Sequence, residues 1–351
     1  MIDTDVLVVG AGQAGLAASH ELAERGIDHV VVDSGDAPGE AWRNRWDSLR
    51  LFTPARFDGL PGMPFPAGSR SLPTAGEFAD YLGAYAERFS LPVHPRTSIR
   101  RLTAAPGGGF TAATDDATAH AHRVVVATGG ETSPFVPSVG HRLDARIRQL
   151  HTCDYRRPDD VPAGRVLVVG CGTSGVQLGI ELARAGRQVT VAGTPTMQVP
   201  KTLLAVAGGA WFTFLHHVLT RATPIGRRAA PRAIAHGAPL IGIGPHDLDR
   251  AGAGRGPRLT ATVDGLPQLA DGRVIETDSV LWATGYSPDF SWIDGLHVDE
   301  HGLPAHERGV STDISGLAFL GLPFQFAVTS GLIGGAARDS AHVVSSWSGP
   351  G

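Results

Sequence analysis

The stretch Val6-Leu7-Val8-Val9-Gly10-Ala11-Gly12-Gln13-Ala14-Gly15 is a short apolar run followed by a glycine-rich turn. Residues 16–25 then have helical spacing, and residues 30–32 form a second apolar run that ends at Asp33. A GxGxxG turn between a strand and a helix is typical of a βαβ unit that binds a dinucleotide. The first glycine allows the tight turn, the second lets a pyrophosphate approach the backbone, and the helix N-terminus offers N–H groups.

The same pattern returns in the middle of the chain. Residues 166–169 are an apolar run, Gly170-Cys171-Gly172-Thr173-Ser174-Gly175 is the turn, and residues 176–185 have helical spacing. Residues 189–191 form the next apolar run. Two copies of one βαβ unit predict an α/β fold with two Rossmann-like dinucleotide-binding domains.

The two copies differ where their second strand ends. Asp33 can accept hydrogen bonds from a ribose diol, which suits the adenosine ribose of FAD. The second copy ends in Ala192-Gly193-Thr194 and has no acid to repel a 2′-phosphate. We therefore expect NADPH at the second copy, with NADH as the second option. Arg187 and Lys201 are the nearest basic candidates for contact with a 2′-phosphate there.

Composition excludes several other classes of protein. The chain of 351 residues has a net charge of −4 with mixed signs, which does not indicate a nucleic-acid partner. Its two cysteines, Cys153 and Cys171, form no CxxC, so we expect no metal site and a reducing cytoplasm. The apolar run at residues 203–219 is shorter than a membrane span and predicts a buried or amphipathic helix. The preference for Arg over Lys suggests a bacterial source.

Two segments indicate a resemblance to a known protein family: Gly39-Glu40-Ala41-Trp42-Arg43 and Leu49-Arg50-Leu51-Phe52-Thr53-Pro54. These segments resemble the GGxW and LxLxTP segments of the flavin-containing monooxygenases, above all YUCCA-type and bacterial enzymes, with Glu40 in place of the second glycine. Two strands that end in Ala-Thr-Gly, at Thr128-Gly129 and Thr284-Gly285, also match. So does the C-terminal segment from residue 316 to residue 335.

The resemblance implies an FAD-dependent, NADPH-dependent monooxygenase that acts through a C4a-hydroperoxyflavin on a small N- or S-nucleophile or a carbonyl, with dioxygen as co-substrate. The residues assigned to FAD are Gly10, Gly12, Gln13, Ala14, Gly15, Asp33, Ser34, Trp42, Arg43, Thr53, Thr128, Gly129, Gln325 and Ser330. Those assigned to NAD(P)H are Gly170, Gly172, Thr173, Ser174, Gly175, Thr194, Lys201, Thr284 and Gly285. The candidate catalytic residues are Thr53, Gln325, Ser330 and His151.

One family segment matches only in part. The fingerprint FxGxxxHxxxY corresponds to residues 145–155, where His151 and Tyr155 are present but the Phe and the Gly are not. Two interpretations of His151 stay open: it shapes the junction between flavin and nicotinamide, or it holds the linker between the domains.

Three alternatives to a monooxygenase are open at this point. A flavin reductase or NAD(P)H oxidase would use the same fold without transferring oxygen to a substrate. A thiol–disulfide reductase would need a redox cysteine pair beside the flavin, for which the positions of Cys153 and Cys171 are poorly suited. A non-catalytic flavoprotein would act by binding a partner.

The predicted organisation is a discontinuous FAD-binding domain, residues 1–157 and 283–351, with an NAD(P)H-binding domain inserted at residues 158–282. A variable insert at about residues 198–257 is expected to form part of the substrate side. Its Gly-, Pro- and Arg-rich part, residues 223–257, is predicted as a loop or a weakly ordered insert. Helices are predicted at residues 77–89 and 330–344. No membrane association is expected, and a homodimer is one option for assembly.

Overall fold

The computed structural model describes residues 2–130, 132–199, 201–236 and 239–347, without the side chains of residues 201–207, 235 and 236. The strands are β1 (Ile2–Val9), β2 (His29–Val32), β3 (Val93–His94), β4 (Arg101–Ala104), β5 (Phe110–Ala113), β6 (Thr118–Val126), β7 (Ser133–Pro134), β8 (Arg148–His151), β9 (Arg165–Val169), β10 (Gln188–Ala192), β11 (Gln198–Val199), β12 (Leu240–Ile241), β13 (Gly254–Gly256), β14 (Leu259–Val263), β15 (Leu266–Leu269), β16 (Ser279–Trp282), β17 (Tyr286–Ser287), β18 (His306–Glu307), β19 (Val310–Ser311) and β20 (Leu317–Phe319).

The α-helices are α1 (Gln13–Glu24), α2 (Glu40–Arg43), α3 (Ala75–Arg88), α4 (Thr173–Arg184), α5 (Lys201–His217), α6 (Pro224–His236), α7 (Pro245–Arg250) and α8 (Ile333–Trp347). Short 3-10 helices lie at Ala55–Phe57, Ser138–Arg142, Pro158–Asp160 and Val328–Gly331. Among the described residues, no helix is both long enough and apolar enough to cross a membrane.

The first sheet has the strand order β18-β19-β20-β6-β1-β2-β3, and β5 joins β4 to β6. Its central strands β20, β6, β1, β2 and β3 are parallel. On β1, Val6 and Val8 pack into a core that includes residues of α1, α3 and α8, while Leu7 and Val9 pack into a core on the other face. The near-continuous apolar sequence of β1 is therefore explained by burial on both faces.

The second sheet is wholly parallel, in the order β13-β10-β9-β16-β8. Val166 and Val168 of β9 pack with α4 and α7, and Leu167 and Val169 pack towards the Ser138–Arg142 turn. All its strands lie in the chain between β6 and β20 of the first sheet. The prediction of two dinucleotide folds, one inserted into the other, is confirmed.

Two segments cross between the sheets side by side. β7 follows the end of β6 and pairs with β17, which follows the end of β16, so that Tyr286 lies opposite Pro134. The carboxyl edges of the two parallel sheets are thus tied together by one antiparallel ribbon.

The predicted helices at residues 77–89 and 330–344 correspond to α3 and α8, and residues 203–219 fall largely in α5. The prediction of a loop at residues 223–257 is wrong, because that segment forms α6, β12, α7 and β13. Pro224 and Pro245 each stand at the first residue of a helix, where a missing N–H costs nothing. The Thr223 hydroxyl accepts a hydrogen bond from Gly226 N at 3.0 Å, as an N-cap does.

Candidate functional site

The first glycine turn joins β1 to α1 at the carboxyl edge of the first sheet. Gly10 has φ +112°, and a Cβ there would lie 2.4 Å from the carbonyl oxygen of Ala127, just after β6. A Cβ on Gly15 would lie 1.8 Å from Gly10 O, so only glycine lets the helix pack this close. A Cβ on Gly12, by contrast, would meet no described atom within 4 Å.

The second turn repeats this geometry in the second sheet. Gly170 has φ +116°, and a Cβ there would lie 2.2 Å from Ala283 O. A Cβ on Gly175 would lie 1.9 Å from Gly170 O, and the space in front of Gly172 is open to 4 Å with respect to the described atoms. Gly12 and Gly172 are the N-cap residues of α1 and α4, and no side chain in the described part of the chain caps either helix. Each turn therefore presents free N–H groups and room for a phosphate.

Asp33 lies directly after β2 and is half-buried. Its Oδ2 accepts a hydrogen bond from Ala11 N at 2.5 Å, and its Oδ1 accepts one from Gly35 N at 2.7 Å. A carboxylate has about four acceptor positions, so both oxygens retain capacity for a ribose diol. The neighbouring Ser34 is exposed.

The corresponding position after β10 is Gly193. A Cβ there would lie 2.8 Å from Cys171 N, the backbone atom that corresponds to Ala11 N in the first unit. Thr194 is exposed at this edge. Thr173 and Ser174, at the start of α4, are half-buried. The second site thus lacks a carboxylate at this point, as the sequence predicted.

One of the two basic residues that the sequence suggested, Arg187, lies away from this site. Arg187 donates to the carbonyl oxygens of Ala185, Pro158 and Val161, at the end of β10 remote from the glycine turn, so it is wrong as a phosphate ligand. Lys201 is the first residue of α5, and its side chain lies outside the described residues.

Arg255 is a basic residue that the sequence did not single out. It lies on β13, opposite Val191 of β10, and pairs with Asp249 at 2.8 Å. Burial raises the pKa of the Cys171 thiol in the second glycine turn, and the positive charge of Arg255 lowers it by a smaller amount. Arg255 therefore acts electrostatically on this turn. Sequence reasoning missed Arg255 because the strand that carries it, β13, lies in the segment that was predicted as a loop.

The segment after β2 brings Trp42 to the first turn. Its indole N–H donates to Gln13 Oε1 at 2.9 Å, and its ring packs edge-on to Phe78 at 5.0 Å. Arg43 instead forms an ion pair with Asp80 on the protein surface. Of the two predicted contacts from this segment, the structure places Trp42 at the turn and Arg43 away from it.

Thr53 is buried, and its hydroxyl donates to Asp58 Oδ1. Asp58 is fully buried, and its Oδ2 has no hydrogen-bond partner among the described residues. Burial raises the pKa of Asp58 to about 7, although the Thr53 hydroxyl lowers it. Asp58 is a residue that sequence reasoning missed, because nothing in a sequence marks one aspartate as buried.

Gln325 and Ser330 are buried and already bonded within the C-terminal segment. Gln325 Nε2 donates to Arg308 O at 3.3 Å. Ser330 Oγ accepts from Phe326 N and Ala327 N, each at 3.0 Å, and so caps the Val328–Gly331 turn. Both side chains have partners that account for their burial.

His151 lies at the end of β8 and is buried. Its Nε2 lies 3.0 Å from Gly285 O, and its Nδ1 accepts from Cys153 N at 3.3 Å, which defines the neutral tautomer with the proton on Nε2. Burial lowers the pKa of His151 and raises that of the Cys153 thiol to about 11, so both groups stay neutral at pH 7. These contacts favour the linker-holding interpretation of His151.

The two Ala-Thr-Gly segments lie beside the two glycine turns. Ala127 and Ala283 provide the carbonyl oxygens that leave no room for a side chain at Gly10 and Gly170. Thr284 donates to Phe135 O, whereas Thr128 is half-buried just before the exposed Gly129. The alanine that both segments share indicated this contact, but only the threonine and the glycine of each segment were predicted as site residues.

A family model described as pyridine nucleotide-disulphide oxidoreductase matches residues 7–202, which is more than half of the chain. The chain belongs to this family. It is 36% identical over 349 residues to an uncharacterized CzcO-like oxidoreductase of Geobacillus kaustophilus, covering 97% of each. It is 25% identical over 325 residues to a probable indole-3-pyruvate monooxygenase, YUCCA1, of Arabidopsis thaliana, covering 82% of this chain and 77% of that protein.

A solved structure of a flavin monooxygenase mutant from Stenotrophomonas maltophilia superposes with a TM-score of 0.78 at 25% identity, covering 99% of this chain and 98% of that one. The resemblance to flavin-containing monooxygenases that residues 39–54 indicated is confirmed. This oxidoreductase is a flavin-monooxygenase-like member of its family.

Proposed function

We propose that this oxidoreductase is an FAD-dependent monooxygenase that uses NADPH to transfer one oxygen atom of dioxygen to a small N- or S-nucleophile or a carbonyl compound. In the balanced reaction, NADPH, a proton, dioxygen and substrate give NADP⁺, water and the oxygenated substrate. The observation that carries the proposal is the pair of matching glycine turns, each open in front of its second glycine, in a chain of this family.

The residues at the first turn fit FAD. The free N–H groups at the start of α1 suit the pyrophosphate, and Asp33 has acceptor capacity for the ribose. Trp42, fixed by Gln13, covers the turn from the side of α2. Bound FAD would supply the redox and oxygen chemistry, while these residues bind and orient it.

The residues at the second turn fit NADPH. The open space at Gly172 and the free start of α4 suit the pyrophosphate. The absence of a carboxylate at Gly193, and the nearby charge of Arg255, favour a 2′-phosphate. The ribbon of β7 and β17 joins the carboxyl edges of the two sheets, at which the two turns lie, and this supports transfer of a hydride between their ligands.

We also propose the domain assignment given above, with residues 158–282 as the NADPH unit and the insert contributing to the substrate side. The pairing of β8 (Arg148–His151) within the second sheet favours a first boundary before residue 148 instead of at 157. Two free cysteines, one of them buried, support a reducing cytoplasm. A homodimer stays a prediction that light scattering would test.

The decisive experiment is anaerobic stopped-flow absorbance on the FAD-loaded protein. Mixing with NADPH should bleach the oxidised flavin band, and NADH should do so more slowly. If neither nucleotide bleaches the flavin band, the proposed monooxygenase activity is refuted and a non-catalytic flavoprotein is favoured.

Admission of oxygen then separates the enzyme classes. In the presence of amine, sulfide and ketone substrates, we expect oxygenated product in proportion to the NADPH consumed. Stoichiometric hydrogen peroxide with every substrate class would assign an oxidase. Loss of flavin reoxidation after replacing Cys153 and Cys171 with serine would point to thiol chemistry.

A further inference from the structure

The loop that carries Thr53 and Asp58 lies at the start of α8, at the same end of the first sheet as the first glycine turn. Leu51 and Ala55 belong to the same hydrophobic core as Ala11, Ala14 and Ile333. A Cβ on Gly321, just after β20, would lie 3.9 Å from Ala14 Cβ, and one on Gly331, just before α8, would lie 3.8 Å from Gly321 O. The start of α8 therefore lies beside the proposed FAD site.

The helices α8 and α5 both pack on this loop. The carbonyl oxygen of Phe57 would lie 3.2 Å from a Cβ on Gly334 of α8. The Phe57 ring lies 5.1 Å from the ring of Phe212 on α5. Within this loop Thr53 and Asp58 are buried, whereas Arg56 is exposed and Phe57 is half-buried.

The buried Asp58 carboxyl has a hydrogen-bond partner at only one of its two oxygens. Buried carboxyl groups normally satisfy both oxygens, yet Asp58 bonds the Thr53 hydroxyl through Oδ1 and leaves Oδ2 unpartnered among the described residues. An unpaired buried charge is costly, so the carboxyl favours its protonated form until another group pairs with it. The pKa of about 7 agrees with this.

The state of Asp58 controls what Thr53 offers to a ligand. A hydroxyl has one hydrogen and two lone pairs, and an ionised carboxylate can only accept. While Asp58 is ionised, the Thr53 hydrogen is directed to it, and only lone pairs are left for a neighbour. Once Asp58 is protonated, it can donate to Thr53 Oγ1, and the Thr53 hydrogen is released for another acceptor.

We propose that Asp58 is a positioning residue that sets whether the Thr53 hydroxyl presents a lone pair or a hydrogen to FAD bound at the first glycine turn. This inference rests on the proposed function, because it needs FAD at that turn. No electron or bond to the cofactor changes in this step: one proton moves on or off the Asp58 carboxyl, exchanged with solvent.

Titratable groups on the loop and on the helices near it include Arg56 in the loop, Tyr81 on α3, His216 and His217 on α5, and Arg338, Asp339 and His342 on α8. Asp339, like Asp58, has one oxygen, Oδ2, without a hydrogen-bond partner among the described residues. Arg338 pairs with Asp339 at 3.0 Å, Tyr81 OH donates to Met63 O at 2.6 Å, and burial lowers the pKa of His216 to about 4. His216 is therefore neutral in the range where Asp58 titrates.

The test records the absorbance spectrum of bound, oxidised FAD between pH 5 and 9, a range in which the oxidised isoalloxazine ring does not itself ionise. The wild type should show a band shift centred near pH 7. Asp58→Asn, which cannot ionise, and Thr53→Val, which removes the hydroxyl at equal size, should each abolish it. Asp116→Asn, an exposed aspartate, is the matched control and should keep it.

A second readout uses the FAD-free protein. Infrared spectra at pH 5.5 should contain the carbonyl stretch of a buried protonated carboxyl that is missing in Asp58→Asn and shifted in Thr53→Val. A purely structural role would lower stability in the variants but leave the flavin band shift in place. Persistence of the shift in Thr53→Val overturns the inference, even if Asp58→Asn fails to fold.

Failure of the two proposals is distinguishable. A wild type that neither takes up FAD nor is bleached by NADPH would refute the proposed function and, with it, this role of Asp58. A wild type that binds FAD and is bleached by NADPH, but whose flavin spectrum does not change with pH, refutes the role of Asp58 alone.

Discussion

The carboxylate of Asp33 accepts a hydrogen bond from the backbone N–H of Ala11 at 2.5 Å, and so ties the end of β2 to the first glycine turn. The second unit has no such tie, because Gly193 brings its backbone directly against Cys171 N. In the first unit the Asp33 side chain therefore shapes the turn. In the proposed function it also binds the ribose of FAD.

Replacement of Asp33 should test its role in FAD binding. We expect Asp33→Ala to weaken FAD binding by roughly 10- to 100-fold, since hydrogen bonds to a charged group contribute about 1.5–3 kcal/mol. Asp33→Asn should have a smaller effect, because one amide oxygen still accepts. FAD dissociation constants from fluorescence titration would measure this. Asp36→Ala, at an exposed position three residues on, is the control, and equal losses in both alanine variants would contradict the assignment.

Gly12 and Gly15 should respond to alanine in opposite ways. Gly12→Ala places its methyl group in open space, at a backbone φ of −80° that alanine adopts readily. The fold should hold, with a melting temperature close to that of the wild type, while the methyl group blocks the phosphate position. FAD affinity should fall at least about tenfold. Gly15→Ala should instead destabilise the protein, because its methyl group would lie 1.8 Å from Gly10 O.

The second turn supplies the matched variant for this experiment. Gly172→Ala should leave FAD content unchanged and raise the KM for NADPH, because Gly172 occupies the same place in the other sheet. FAD content by absorbance and initial-rate kinetics would measure both effects. Loss of FAD from Gly172→Ala, with normal FAD in Gly12→Ala, would reverse the assignment of the two units.

The sequence was sufficient to predict the two units because their turns depend on local chemistry. Glycine spacing and apolar strands act over a few residues, so Gly10 to Gly15 could be interpreted without knowing the rest of the chain. The insert was mispredicted because its Gly-, Pro- and Arg-rich composition was taken to indicate a loop, whereas Pro224 and Pro245 each begin a helix. The loop that carries Asp58 packs through Phe57 on α5 and α8, which are distant in sequence, so no local pattern could reveal that Asp58 is buried.

Arg255 should favour NADPH over NADH. If its guanidinium faces the 2′-phosphate, Arg255→Gln should raise the KM for NADPH by about tenfold and leave the KM for NADH nearly unchanged, since a charged contact to phosphate is lost. Arg258→Gln, at an exposed arginine three residues on, is the control. Steady-state kinetics with both nucleotides would decide the point, and an equal rise for NADH would show a general structural effect instead.

Asp58 should make the stability of the protein depend on pH in a defined direction. Its pKa of about 7 in the folded protein lies above the ordinary value of 3.8, so the folded state binds more protons than the unfolded state between these values. The stabilisation is complete below about pH 4 and is lost as the pH rises to about 7. At roughly 1.4 kcal/mol per pKa unit, the loss is up to about 4 kcal/mol.

Asp58→Asn removes this titration, so stability should be compared as a difference between variant and wild type. The free energy of unfolding of Asp58→Asn minus that of the wild type should increase by up to about 4 kcal/mol from pH 4 to pH 7 and then level off. His216 and His306, whose pKa values burial lowers to about 4, titrate in both proteins and cancel in the difference. Denaturant unfolding at half-unit pH steps, with FAD in fixed excess and Asp116→Asn as control, would measure it. A difference that stays constant across this range would show that Asp58 is already ionised in the folded protein at pH 4, and hence that a group pairs with its free oxygen.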